Sequence, residues 1–137
     1  MTPSPMAKAR YEGHLRTRLT HLASGQDVIT DAPVDNHGKG EAFSPTDLVS
    51  AALSSCMMTI MGMVAAREGV MLEGLTAEVV KVMAANPRKI AEIQIVFSHP
   101  ALGASDVQKQ KLKQAALTCP VALSLHESVK QTVIFNF

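Results

Sequence analysis

The sequence holds two cysteines, Cys56 and Cys119, and they decide which chemistries are open to it. Neither belongs to a Cys-x-x-Cys pair, which excludes a thioredoxin-like dithiol motif. A zinc site would need two further ligands from His14, His21, His37, His99 and His126, and no two of these have ligand spacing. No serine stands in a nucleophile elbow, and no glycine-rich phosphate loop is present. The remaining choice is between thiol chemistry and two inert buried side chains. Cys56 lies in "SPTDLVSAALSSCMMTIMGMVAAREG", a stretch without a charged residue between Leu48 and Ala66. There it reads either as a small hydrophobe beside Ala52 and Met57 or as a reactive thiol. Cys119 precedes Pro120 at a helix start, where the positive end of the dipole favours a thiolate. Cys56 lies about three turns into its own helix, beyond the dipole's reach. A reactive Cys56 therefore needs a cation from elsewhere. Arg16 and Arg18 point the same way on a strand-like segment and are the candidates, with plain solvation as the other reading of that face. The eight methionines read as core packing rather than as a metal or cofactor box.

Composition bounds the rest. A length of 137 residues suggests one domain, 1–137, with a single core and a flexible start over residues 1–8. Apolar residues make up 47% and charged residues 18%, so disorder is not expected. A formal net charge of +1 without a basic run, and few aromatics, give no case for nucleic acid. The apolar run 48–66 is about as long as a bilayer is thick, but Ser50, Ser54, Ser55 and Thr59 interrupt it. No membrane partner is expected. The opening "MTPSPMAKARYEG" lacks the apolar centre of a secretory signal. A cytoplasmic protein is expected, in which a permanent disulfide staple is disfavoured.

The elements that must position these residues follow from periodicity. Arg10–Thr20 alternates as a strand, "LASGQD" turns, and "DVITD" gives a second strand. Residues 32–43 read as a loop rich in Gly and Asn. Ser44 then caps a helix, with Pro45 at its first position and Asp47 as the acid of a capping box. The helix runs to Glu68 and ends at Gly69. It is apolar almost all round, which predicts that a second subunit covers what one small sheet cannot. "LTAEVVKVMA" and "IAEIQIVFSH" form a hairpin through "NPRK". Ser105 caps a polar helix, Cys119 caps a short one, and "KQTVIFNF" closes as a strand. The order ββ-α-ββ-α-α-β makes an α+β fold.

With these elements in place, "SPTDLVSAALSSC" resembles the P-x-[ED]-L-x-x-A-A-x-x-x-C signature of the OsmC/Ohr family, the osmotically induced and organic-hydroperoxide-resistance proteins. "TCPVALSL" is similar to that family's second cysteine motif, and "ARYEGHL" with "SGQDVITDAP" to its opening strands. The likeness covers about residues 8–137. It implies an OsmC-like intertwined homodimer with long central helices packed between sheets. It also implies a thiol peroxidase in which Cys56 attacks an organic hydroperoxide and Cys119 resolves the sulfenic acid as a disulfide. A dithiol reductant, of lipoyl type for example, then restores the thiols, and no cofactor is needed. The family's thiolate is held by an Arg–Glu pair. The arginine falls nearest Arg16, with Arg18 second. The glutamate's place holds Thr46, and Asp47 follows one step later, about 100° round the helix. Asp47 therefore reads first as the capping acid and second as a substitute for that glutamate. The alternative function is a dimer of this type without peroxidase activity, which binds a small apolar ligand or electrophile at the same cleft. A third reading is a purely structural or partner-binding dimer with inert buried thiols.

Overall fold

The computed structural model describes residues 3–137. The chain falls into two compact units that divide between Leu48 and Val49. Of the expected flexible start, Met1 and Thr2 lie outside the described residues, while Ala7 and Lys8 already belong to the first strand.

The unit ending at Leu48 is a three-stranded antiparallel meander of β1 (Ala7–Gly13), β2 (Arg16–His21) and β3 (Asp27–Asp31). The sequence reads Arg10–Thr20 as one strand, and the structure folds it in two at His14 and Leu15. Both residues take positive φ, 54° and 63°, as the tight turn of a two-residue hairpin demands. The Tyr11 hydroxyl accepts the Leu15 N–H at 3.2 Å and braces that turn. The strand register sets Arg10 opposite Arg18, Arg16 opposite Asp31 and Thr20 opposite Asp27, so the charged side chains share one face. A single 3₁₀ turn, Val34–Asn36, opens the loop that follows. Gly38 is obligatory there, since a Cβ would stand 1.7 Å from the Ala32 carbonyl oxygen.

Helix α1 (Pro45–Glu68) has the predicted limits. The Ser44 N–H donates to Asp47 Oδ2 at 3.0 Å and the Asp47 N–H to Ser44 Oγ at 3.1 Å, a complete capping box. Gly69, at φ +68°, ends the helix, and the Val70 N–H returns to the Ala65 carbonyl as in a Schellman motif. Ser50, Leu53, Ser54, Met57, Met61, Val64 and Ala65 form its buried stripe. Val49, Ala52, Thr59, Met63 and Ala66 lie on the opposite face and are exposed. By length and composition alone α1 is also able to cross a membrane.

The unit from Val49 to Phe137 holds a second sheet, of β4 (Thr76–Ala84), β5 (Lys89–Ser98) and β6 (Lys130–Asn136), in that order. β4 and β5 pair antiparallel, whereas β6 pairs parallel to β5. A parallel return needs a crossover. Helices α2 (Asp106–Leu117) and α3 (Pro120–Ser124) supply it. The stripe of α1 packs with Ile93, Ile95 and Phe97 of β5 and Leu112 and Ala116 of α2 into one core. The class is α+β, as the pattern of elements predicts.

Candidate functional site: a pair of neighbouring thiols

Cys56 stands at the margin of the α1 stripe, half-buried against the core. Cys119 is fully buried, at the junction where α2 ends and α3 begins. The two lie far apart in sequence, yet the fold brings their thiols close enough to interact. α1 delivers one and the β5–β6 crossover delivers the other.

The surroundings of Cys119 are specific. Its Sγ accepts the Ala122 N–H at 3.4 Å, as the cap of α3. Burial nevertheless pushes the Cys119 thiol above its ordinary 9.0, and the contact with Cys56 adds to that rise. The Ala122 N–H acts the other way but does not offset them. The sequence expectation of an acidic Cys119 is thus corrected. α3 has only five residues, too short for a strong dipole, and the sulfur is dry. Burial thus favours the protonated form of Cys119.

The other predicted site residues belong to the first unit. Arg16 makes a two-pronged ion pair with Asp31, Nε to Oδ1 at 2.7 Å and a terminal nitrogen to Oδ2 at 2.9 Å. It reaches Glu41 as well, at 3.3 Å. Asp31 is 1% exposed and also accepts the Glu41 N–H. The Arg16 guanidinium holds the Asp31 carboxyl below its ordinary 3.8, although burial opposes this. Arg18 is shared between Glu12 at 3.1 Å and Asp27 at 3.0 Å. Asp47 spends its carboxylate on the helix cap described above.

Sequence reading missed Asp31 and Glu41 as the acids that hold Arg16. The signal lay in the register, which sets the last Asp of "DVITD" opposite the first Arg of "RTRLTH". It also missed the Ala122 N–H, because backbone donors leave no mark on residue types.

The family model described as OsmC-like protein matches residues 38–133. The crystal structure of an osmotic stress induced and detoxification response protein from Psychrobacter arcticus 273-4 is similar, at 46% identity. The match covers 99% of this chain and 98% of that one, with a TM-score of 0.94. The organic hydroperoxide resistance protein OsmC of Legionella pneumophila is 16% identical over 99% of this chain and 100% of that one, with a TM-score of 0.75. An OsmC like protein from Mycoplasma pneumoniae reaches 0.79 at 14% identity, covering 99% and 98% of the two chains. These two distant likenesses speak for the fold. A search of curated proteins finds no match.

Proposed function

Because the chain belongs to the OsmC-like family, we propose that it is a thiol-dependent peroxidase of the cytoplasm that reduces organic hydroperoxides. The observation that carries this reading is the neighbouring pair of free thiols, one half-buried and one fully buried. A peroxide reaches Cys56 first. Its sulfur attacks the O–O bond and takes one oxygen as a sulfenic acid, and the alcohol leaves with a proton from solvent. The peroxide is reduced by two electrons and Cys56 is oxidised by two. Cys119 then attacks that sulfur. An S–S bond forms, and the hydroxyl departs as water with the proton that Cys119 has kept. An external dithiol of lipoyl type returns both thiols.

Leu53, Met57 and Ile60 neighbour Cys56 on α1 and join its core. They favour a greasy peroxide, at ~0.8 kcal/mol per buried methylene. The proposed assembly is a homodimer, as proteins of this family generally are. The exposed apolar residues Val49 and Met63 on α1, 39% and 54% accessible, support it.

Turnover of cumene hydroperoxide with a dithiol reductant tests the reading. Activity is expected in the wild type and lost in Cys56→Ser, while Cys119→Ser accumulates sulfenic acid. Equal rates in wild type and Cys56→Ser would end it. Thr46 at the family glutamate's place, with Asp47 given to the cap, favours a second reading: binding of a small apolar ligand or another electrophile at the same thiols. Intact mass after brief peroxide treatment separates the two, since only the first forms a Cys56–Cys119 disulfide.

A further inference from the structure

The inner row of β6 reads Gln131, Val133, Phe135 and then Phe137 just beyond the strand's end. The last three pack on the core. Gln131 pairs in register with Ile93, which is fully buried. A primary amide in an apolar row is costly unless it is hydrogen-bonded. Gln131 meets that need in one direction: its Nε2 donates to the Ala122 carbonyl at 3.0 Å. α3 is a single turn, too short to persist on its own. Its first carbonyls are satisfied locally, Cys119 O by Leu123 N, Pro120 O by Ser124 Oγ and Val121 O by Leu125 N. The Ala122 carbonyl is held from across the fold, by β6. The same residue's N–H is the donor aimed at Cys119 Sγ.

We propose that Gln131 is a positioning residue for Cys119: by pinning the Ala122 carbonyl to β6 it fixes α3, aims the Ala122 N–H at the sulfur and holds that sulfur against Cys56. Its effect on turnover rests on the peroxidase reading above. The geometry it asserts does not.

Two variants separate the amide's donor from its bulk. Gln131→Glu keeps the shape and sets a carboxylate against a carbonyl, while Gln131→Leu removes the polarity. Equilibration of each folded variant with dithiothreitol redox buffer reads how readily Cys56 and Cys119 pair, with no peroxide involved. The expected result is about a tenfold weaker disulfide in both, ~30 mV for a two-electron couple, with Gln131→Glu the more affected. A role in filling space alone predicts the reverse order, with the isosteric Glu near wild type. After one pulse of hydroperoxide, sulfenic acid is expected to form at the wild-type rate and to persist about tenfold longer. Should the wild type form no sulfenic acid, the peroxidase reading fails while the dithiothreitol equilibrium still decides the role of Gln131. In the unmodified protein the Gln131 side-chain amide protons are expected to exchange slowly with solvent by NMR. Wild-type disulfide equilibria in both variants, or fast exchange of that amide, overturns the proposal.

Discussion

Cys119 keeps its proton because its sulfur is dry, and a helix of one turn cannot compensate. Burial of Cys119 and partial exposure of Cys56 thus set the order of reaction with a small alkylating reagent. Brief treatment with iodoacetamide at pH 7.5 is expected to label Cys56 well before Cys119, with Cys119 labelled fully only in denaturant. Peptide mass mapping reads the order, and equal labelling of the native protein contradicts it. At this scale the sequence was partly legible. Ser44, Pro45 and Asp47 announced the cap because capping is local and each residue type has one job there. Burial of Cys119 was not legible, since it depends on α1, α2 and β5 closing over a sulfur that its sequence neighbours do not cover.

The limits of α1 followed from its own ends, but the first meander did not follow from its pattern. "GHLR" carries none of the Asn-Gly or Asp-Gly signals of a tight hairpin. Its turn forms around His14 and Leu15 at positive φ, braced by Tyr11, and the alternation of Arg10–Thr20 runs on as if the strand were unbroken. What the turn achieves is a charged face with Arg16 locked on Asp31. Asp31 titrates below its ordinary value in the folded chain, so between the two values the unfolded chain binds more protons. The ion pair therefore adds stability at neutral pH, and that stability is lost as pH falls through the folded value. Urea unfolding is expected to show Asp31→Asn as less stable than wild type at pH 7, with the gap closing as pH drops below about 4. A gap that stays constant to pH 3 would assign Asp31 another role.

For the whole molecule, the apolar circumference of α1 exceeds what the second unit's core covers. Leu53, Met57 and Met61 are fully buried, whereas Met63 and Val49 face outward. Light scattering on the eluted protein is expected to give twice the chain mass of 14.6 kDa. Met63→Glu is expected to shift that mass toward the single chain, because a carboxylate at a closed seam is costly. A wild type that stays single at micromolar concentration would refute the dimer. The sequence pointed to this through composition, since a helix greasy on every side needs cover on every side. The exposed apolar residues needed the structure, because only the actual core shows which side is left over.

The crossover that carries Cys119 back to the centre of α1 has a thermodynamic consequence. A bond between the two sulfurs would knot together a ring on the order of sixty residues, which includes β4, β5 and α2. Tethering a ring of that length restricts the denatured chain by roughly 4 kcal/mol. In the proposed cycle the spent enzyme is therefore the sturdier one, and each reduction by a dithiol returns it to a looser, reactive form.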